Sequence, residues 1–452
     1  MRLYDTLSGQ LHDFDSPNGQ VRMYVCGITP YSSSHIGHAM SAVSFDVVRR
    51  YLEFRGFNVK HIQNFTDIDD KMIAAANERG IEVSDLAYAN IQEYIDAMGE
   101  LNVAPAHEYP RATQEIDKIV EIIQSLIDKG YAYDVDGDVY FRVRRDEDYG
   151  KLSHRSIDDL LSGARIEIDE RKEDVLDFAL WKSQKPDEPA WDSPWGPGRP
   201  GWHIECTAMS IKYLGESIDI HGGGEDLVFP HHENEIAQSE SFTDVEPFAR
   251  FWLHNGMLRL GVEKMSKSLG NIISLPEALD KFEPQALRLF FLSSHYRSPL
   301  FYSEEVVHSQ ERAIRRLRQA LRVESGSGPS VISDDFRTRF VEAMDDDLNT
   351  PRALAVLFDL TREINRGRDH DADVSDAQKA LSDLAAILGL DLTESEDDAD
   401  TSAGPFIQLL VDLRSDLRAA RQFDQADRIR DELTNLGVSL EDTPAGTEWT
   451  LR

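Results

Sequence analysis

VRMYVC at positions 21–26 and HIGH at positions 35–38 decide the fold of this chain. The first stretch is an apolar run that predicts a buried strand, and the second opens a segment with helical periodicity. Backbone amides at a helix N-terminus attract anions, and the two histidines of HIGH add hydrogen-bond donors. Together the two stretches predict a phosphate site where the first strand of an α/β fold meets its helix.

The remaining pattern predicts the domain order. The fold class is α/β: a Rossmann-like, doubly wound parallel-sheet catalytic domain with an insertion, followed by an all-α helical bundle and a small helical C-terminal domain. VKHIQNF at 59–65 is the second strand candidate, and a strand end meets a triple-glycine turn at 222–224. Residues 391–404 are predicted to be mainly an acidic linker. We place the boundaries at 1–110 and 201–245 for the two halves of the catalytic domain, 111–200 for the connective insertion, 246–303 for a connecting domain, 304–392 for the bundle and 405–452 for the C-terminal domain.

Composition limits the class of protein. A length of 452 residues suggests about three domains. We expect a cytoplasmic protein, because there is neither an uncharged apolar stretch of about 18 residues nor a secretion signal. The net charge of -34, from 82 acidic and 48 basic residues, would repel nucleic acid. Halophilic adaptation of the surface is the favoured explanation, and an acidic surface for cationic partners is the alternative.

A second basic motif, KMSKS at positions 264–268, gives HIGH more weight. Its Lys264 and Lys267 are two of only 13 lysines in the chain, and glycines at 261 and 270 flank the motif. Glycines let a loop move, and paired lysines on such a loop suit a phosphate group better than plain surface solvation. HIGH alone would fit a solvated helix start better than a catalytic one.

Four residues offer ligands for a metal ion. Cys26 and Cys206 are the two cysteines of the chain, and His231 and Glu235 are four positions apart and would share a helix face. Two sulfurs, one nitrogen and one oxygen favour tetrahedral zinc. On spacing alone, buried structural thiols and a helix-capping histidine explain these residues equally well. A disulfide would suit a secreted protein better than a cytosolic one.

Seven blocks, taken in order, resemble the cysteinyl-tRNA synthetase family of class I aminoacyl-tRNA synthetases over nearly the whole chain. Methionyl and other class I relatives share the first and last motifs but not the set between them. The resemblance implies an ATP-dependent ligase that activates L-cysteine and transfers it to tRNA(Cys). The blocks lie at positions 24–27, 35–38, 64–71, 201–206, 221–235, 252–256 and 264–268.

By this resemblance, one zinc ion per chain is held by Cys26, Cys206, His231 and Glu235. Serine differs from cysteine in one atom, and a pocket that reads shape alone would reject it by only about a hundredfold. A bound zinc ion can instead hold the substrate thiolate, which a serine hydroxyl does not match. No editing domain is then needed, and the insertion is too small to be one.

Activation requires positioned reactants and stabilised phosphate charge rather than a nucleophilic side chain. By resemblance, His35 and His38 contact the phosphates of ATP with Mg²⁺, and Lys264 and Lys267 contact the leaving pyrophosphate. Without the resemblance, a tight turn at the glycines, a core Trp202 and structural histidines are the alternatives. The other ATP contacts are assigned to Thr29, Gly37, Gly222, Gly223, Gly224 and Asp226, and the cysteine contacts to Gly27, Thr66, Trp202, His221 and His254.

The tail from 418 to 449 resembles the family's anticodon-reading module, and Pro30 marks a further departure from the family pattern. The family usually has tryptophan where this chain has Phe423, and either ring stacks on a base. Pro30 stands two positions later than the usual proline, which predicts an altered entry turn with unchanged chemistry. The anticodon contacts are assigned to Arg418, Phe423, Asp427 and Asp442. An arginine-rich helix either follows the tRNA backbone or carries ion pairs on a solvated face, through Arg312, Arg315, Arg316, Arg318 and Arg322.

Two other functions fit parts of the pattern. A cysteine ligase that acts on an amino sugar, as in mycothiol synthesis, would keep the adenylating core but lack the complete module at 427–449. A non-catalytic synthetase paralogue would not need both basic motifs and four zinc ligands. We expect a monomer whose partners are tRNA(Cys), L-cysteine and ATP, with no membrane.

Overall fold

The computed structural model describes residues 1–157, 159, 171–186, 188–260, 263–264, 273–393, 396–443 and 446–451. They form two compact units, Met1–Asp391 and Leu392–Arg452. No helix among these residues is long and apolar enough to cross a lipid bilayer. The strands are β1 Arg2–Asp5, β2 Gln10–Asp13, β3 Gln20–Ile28, β4 Asn58–Phe65, β5 Ala132–Val135, β6 Asp138–Phe141, β7 Phe178–Ser183, β8 Gly198–Pro200, β9 Ile218–Gly224, β10 Ala249–Asn255, β11 Leu258–Leu260, β12 Glu263–Lys264, β13 Leu300–Tyr302, β14 Gly328–Ser330, β15 Ala372–Asp373, β16 Val438–Thr443 and β17 Gly446–Leu451. The α-helices are α1 Ile36–Phe54, α2 Asp70–Arg79, α3 Val83–Glu100, α4 Ile116–Asp128, α5 Trp202–Leu214, α6 Glu233–Thr243, α7 Leu275–Lys281, α8 Pro284–Leu292, α9 Glu304–Leu321, α10 Asp334–Asp345, α11 Thr350–Asp369, α12 Ser375–Ile387, α13 Glu396–Ala419 and α14 Phe423–Asn435.

The predicted parallel sheet lies in the first unit. Strands β10, β9, β3 and β4 are neighbours in that order, and every pairing is parallel. α1 connects β3 to β4, and the longer connection from β4 to β9 contains the insertion. Parallel strands need such crossover connections, which is why helical periodicity follows each strand in the sequence. The predicted α/β class is confirmed.

Two details of the sheet differ from the prediction. β10 lies beyond position 245, where the second half of the catalytic domain was expected to end, because RFWLHN at 250–255 continues the sheet beside β9. The three glycines at 222–224 lie within β9 rather than in a turn. A Cβ atom at Gly222 would come within 2.3 Å of the Phe45 ring, so glycine here permits close approach of α1. The other domain boundaries stay predictions.

The insertion forms an antiparallel sheet of β5, β6, β7 and β8. Phe141 and Trp181 are fully buried in it, and Phe141 stacks on Phe178 with ring centroids 5.0 Å apart. This core is continuous with the core of the parallel sheet and includes Tyr24 and Cys206. The insertion is therefore packed onto the catalytic fold rather than tethered to it.

A buried ion pair ties the first helix of the sheet to the helical region that follows. Arg288 of α8 and Asp46 of α1 are inaccessible to solvent and form a salt bridge, and Arg50 contacts Asp46 at 2.8 Å. Arg288 also donates to the backbone oxygens of Leu101 and Leu388, each at 2.9 Å. One guanidinium thus joins three segments of the chain.

Replacing Arg288 with methionine is expected to lower the free energy of unfolding by about 3–5 kcal/mol, because the buried Asp46 charge loses its main partner. Adding Asp46→Leu should recover part of this loss, since no uncompensated carboxylate then remains. Urea unfolding at neutral pH measures both variants. Equal stability of the wild-type protein and Arg288→Met would contradict this stabilising role of Arg288.

His61 of β4 makes the first unit sensitive to acid. Burial, helped by the charge of Arg49, lowers the pKa of His61 to about 3. Histidine in an unfolded chain titrates near 6.5, so the unfolded state binds one more proton between these values. Stability is therefore lost as the pH falls from about 6.5 toward 3, by up to about 1.4 kcal/mol per pH unit. His61→Phe is expected to flatten this part of the stability profile measured by urea unfolding, and an unchanged slope would contradict the assignment.

The predicted all-α region follows the sheet as α9 to α12. The loop predicted at 324–329 separates α9 from α10. Its last residues belong to β14, which pairs with β15 in parallel. Asn349 caps α11 by accepting a hydrogen bond from the Arg352 amide at 3.2 Å.

The second unit consists of two helices and a hairpin. Two predictions for this segment are wrong: α13 already begins at Glu396 inside the expected linker, and the tail ends in an antiparallel hairpin rather than in a helix. Leu440 pairs with Trp449 across this hairpin. The side chains of this segment therefore follow the period-two alternation of strands and not helical periodicity. The small core contains Ile407, Val411, Leu433 and Val438.

Candidate active site and metal centre

A cavity of about 350 Å³ opens at the carboxyl ends of β3, β9 and β10. Ligands of open α/β sheets bind at this edge, where loops and helix N-termini meet. The predicted metal ligand Cys26 also lines the cavity. Eight further predicted site residues line it: Gly27, Thr29, His35, Gly37, His38, Trp202, Gly224 and Asp226.

The two histidines of HIGH cap α1. His35 is the N-cap residue, and its Nδ1 accepts a hydrogen bond from the His38 amide at 3.3 Å. The Nδ1 atom of His38 accepts one from the His35 amide at 3.3 Å, and the rings stack with centroids 3.6 Å apart. Because the cap uses both Nδ1 atoms, Nε2 is the atom of each ring that can reach a ligand. HIGH can therefore cap α1 and still offer both Nε2 atoms to a phosphate group.

The four predicted zinc ligands converge from three segments of the chain. All four are buried, and their ligand atoms lie within 4.8 Å of one another. Cys26 Sγ lies 3.7 Å from Cys206 Sγ and 3.4 Å from Glu235 Oε1. His231 Nε2 lies 3.0 Å from the same carboxylate oxygen. Two sulfurs bound to zinc at about 2.3 Å in a tetrahedron would be about 3.8 Å apart, so these residues fit zinc.

The cluster stabilises charged donor groups. Burial opposes ionisation of Glu235, but His221 and His231 lower its pKa to about 2. Burial also opposes ionisation of Cys206, but the hydrogen bond with Cys26 and the charge of His231 lower its pKa to about 6. Burial would lower the pKa of His231, yet Glu235 and Cys206 raise it to about 10. A divalent cation could replace this histidine proton, since metal ligands bind in their deprotonated forms.

Comparison with known proteins identifies the family. Residues 14–312 match the tRNA synthetases class I (C) catalytic domain, and residues 339–393 match the DALR domain. A cysteine-tRNA ligase of Dehalococcoides mccartyi is 57% identical over 456 residues, with 100% of each chain covered. The chain belongs to the cysteine-tRNA ligase family.

Further family members support this placement. A cysteine-tRNA ligase of Caldicellulosiruptor saccharolyticus is 49% identical with 99% of each chain covered, and one of Thermotoga maritima is 48% identical with 100% of each covered. Among solved structures, the methionyl-tRNA synthetase of Mycobacterium tuberculosis in complex with methionyl-adenylate gives a TM-score of 0.59 at 16% identity. That match covers 82% of this chain and 89% of the other, and it shows the shared fold.

A second layer of histidines surrounds the four ligands in this member of the cysteine-tRNA ligase family. His203 Nδ1 lies 2.9 Å from His231 Nδ1, and His232 Nε2 lies 3.3 Å from Cys26 Sγ. His232 Nδ1 in turn lies 2.8 Å from His254 Nε2. Sequence reasoning gave no role to His203 and His232. The available signals were the adjacent pairs WH at 202–203 and HH at 231–232.

His221 and His232 form a second possible ligand set that overlaps with the first. The ligand atoms of Cys26, His221, His232 and Glu235 also lie within 4.8 Å of one another. Burial lowers the pKa of His232 and, to about 3, that of His254, so both rings are neutral at physiological pH. Only the first set contains both sulfurs, which a thiophilic ion prefers. That set also lies next to the cavity, because Trp202 stacks on His231 with ring centroids 4.4 Å apart.

The residues assigned to cysteine lie at two depths. Trp202 is 40% exposed and lines the cavity, so the core alternative for this side chain is wrong. Gly27 lines it as well, and a Cβ atom there would lie 1.7 Å from the Asn64 carbonyl oxygen, which only glycine avoids. The other three residues assigned to cysteine, Thr66, His221 and His254, are buried behind the lining. Gly222 and Gly223, which were assigned to ATP, are buried there as well.

The basic loop is described only in part. Lys264 belongs to β12, whose backbone pairs with β11 opposite Arg259. Lys267 lies outside the described residues. Among the described residues, Lys71 at the start of α2 lines the cavity, and its Nζ lies 5.6 Å from the centroid of the Tyr31 ring. From the sequence, this lysine was given no role.

The predicted RNA contacts belong to the second unit and to α9. In the second unit, Arg418 lies in the last turn of α13, Phe423 begins α14 with 55% of its surface exposed, and Asp427 lies 3.5 Å from Arg430. Asp442 is described by its β16 backbone alone. On the arginine-rich helix α9, Arg318 is buried and binds Glu283 at 2.6 Å, which favours the ion-pair alternative at that position.

Proposed function

We propose that this chain activates L-cysteine with ATP and transfers it to tRNA(Cys). Support comes from family membership over the full chain together with a nucleotide-sized cavity that directly adjoins a sulfur-rich ligand cluster. That adjacency carries the proposal, since a cysteine in the cavity would have its thiol and its carboxylate held by different groups. Zinc on Cys26, Cys206, His231 and Glu235, and Mg²⁺ with ATP, are part of it.

In the first step, a carboxylate oxygen of cysteine attacks the α-phosphorus of ATP, and the bond to the bridging oxygen breaks so that pyrophosphate leaves. His35 and His38 would donate hydrogen bonds from Nε2 to the phosphate oxygens as their charge redistributes. The α1 N-terminus adds its own favourable field. Lys264 and Lys267 would bind the departing pyrophosphate, and Asp226 at the cavity would bind a ribose hydroxyl.

Selection against serine would take place at the metal cluster. Bound zinc would supply a soft Lewis acid that holds the thiolate of the substrate. Trp202 and Gly27 would shape the space beside it, and the histidines behind the ligands would keep the four donors in place. Thr66, His221 and His254 would then act from behind the cavity lining.

In the second step, the terminal ribose of tRNA attacks the cysteinyl carbonyl and releases AMP, initially through its 2′ hydroxyl as in class I relatives. We assign anticodon contacts to Arg418, Phe423, Asp427 and Asp442 in the second unit. The reaction belongs to translation and thus to the cytoplasm, and we propose a monomer. The net charge of -34 would keep it hydrated in concentrated salt.

Cysteine-dependent exchange of pyrophosphate into ATP at molar salt tests the first step, with serine as the matched substrate. Charging of tRNA(Cys), compared with transfer to an amino-sugar acceptor, tests the second. We expect exchange with cysteine alone and transfer to tRNA alone. Exchange followed by transfer to the amino sugar would favour the mycothiol-type ligase, and no exchange would favour a non-catalytic paralogue.

A further inference from the structure

Tyr24 is a buried residue of the site to which the proposed reaction gives no role. It lies on β3 two positions before Cys26. Register partners on neighbouring strands point to the same face of the sheet. Its register partner on β9 is His221, and the two rings pack with centroids 5.2 Å apart. The side chain therefore extends along the same face of the sheet as the metal cluster.

The hydroxyl of Tyr24 lacks a regular partner. The residue is fully buried, and its oxygen makes no hydrogen bond of standard geometry among the described residues. Tyr24 belongs to the same buried core cluster as Cys26 and Cys206, and burial, together with the neighbouring Cys206, raises the pKa of its hydroxyl. A buried hydroxyl without a partner is destabilising. Three of the four predicted metal ligands, Cys206, Cys26 and Glu235, act on this hydroxyl electrostatically.

We propose that Tyr24 is a positioning residue whose O–H donates to the Cys206 thiolate when the metal is bound, and that this bond tunes the centre for cysteine. The inference rests on the proposed zinc site. Without metal, Cys26 donates a hydrogen bond to Cys206 Sγ at 3.7 Å. Metal binding removes that proton, because both thiols bind as thiolates, and leaves the Cys206 thiolate able to accept from Tyr24. A thiolate that accepts a hydrogen bond donates less charge to the metal, so the metal keeps more affinity for an incoming thiolate.

The test compares Tyr24→Phe with wild-type protein loaded with Co²⁺ in place of zinc. Loss of the hydrogen bond raises the energy of the sulfur lone pairs, so the thiolate-to-cobalt charge-transfer band should move to longer wavelength. The cysteine KM in pyrophosphate exchange should rise about tenfold or more, with the ATP KM changed less than about twofold. Tyr51→Phe is the matched control, because it removes another buried hydroxyl, one bonded to Asp345 at 2.7 Å.

Thermal unfolding adds a readout that is independent of activity. Metal-free Tyr24→Phe should melt at or above the wild-type temperature, because the lost hydroxyl has no regular partner in the described structure. Its gain in Tm on adding zinc should be smaller than that of the wild type. A structural role alone would instead lower both melting temperatures equally.

The outcomes separate this inference from the proposed function. A band shift in Tyr24→Phe that is absent in Tyr51→Phe supports the hydrogen bond. An unshifted band with a wild-type cysteine KM, in protein that binds one Co²⁺, overturns the role of Tyr24 and leaves the metal centre intact. Wild-type protein that binds no Co²⁺ overturns the metal centre and this inference together.

Discussion

Replacing Cys206 with serine is expected to remove bound zinc and the preference for cysteine over serine together. The substitution deletes one of two sulfurs that lie 3.7 Å apart, and a hydroxyl is a poor ligand for a thiophilic ion. Zinc content should fall from one per chain to below about a tenth. The ratio of kcat/KM values for cysteine and serine in pyrophosphate exchange should fall to about a hundredfold or less, the limit of a pocket that reads shape.

Ser210→Ala is the matched control for Cys206→Ser. Ser210 lies one helical turn further along α5, is fully buried and is not one of the four ligands. It should keep both zinc and discrimination. Cys206→Ser protein that retains one zinc per chain would contradict the ligand set.

Replacing His35 with asparagine is expected to reduce kcat for pyrophosphate exchange by about 100- to 1000-fold. Asparagine is a favourable N-cap residue, so α1 keeps an acceptor for its first amides while the imidazole is lost. The variant thus separates the structural role of HIGH from its proposed contact with phosphate. Melting temperature and ATP KM, measured beside kcat, should change little.

His12→Asn serves as the control for His35→Asn, because His12 is exposed on β2. It should leave kcat unchanged. If His35→Asn retained more than about a tenth of wild-type kcat with its fold intact, the imidazole would be only a helix cap.

The sequence predicted those parts of the site that depend on local pattern. HIGH follows an apolar strand and opens a helix, so its place at the sheet edge follows from α/β connectivity alone. The four predicted zinc ligands required more, since Cys26 and Cys206 are 180 residues apart and only the family resemblance decided between a zinc site and buried structural thiols. The structure places their donor atoms within 4.8 Å of one another.

Other features could not be read from the sequence because they depend on packing between distant segments. His203 and His232 reach the metal ligands only after α5 and the turn before α6 come together on the sheet. The hydroxyl of Tyr24 is significant only through its burial beside Cys206. The C-terminal hairpin was missed because it follows two helices and was interpreted as part of the same helical tail.

Zinc K-edge X-ray absorption of the purified protein, with and without cysteine, tests the central claim most directly. Without substrate, we expect two sulfur neighbours at about 2.3 Å and two nitrogen or oxygen neighbours at about 2.0–2.2 Å. Saturating cysteine should add a third sulfur at a similar distance, whereas serine should add none. A sulfur count that stays at two when cysteine saturates the protein would contradict recognition of the substrate through its thiolate.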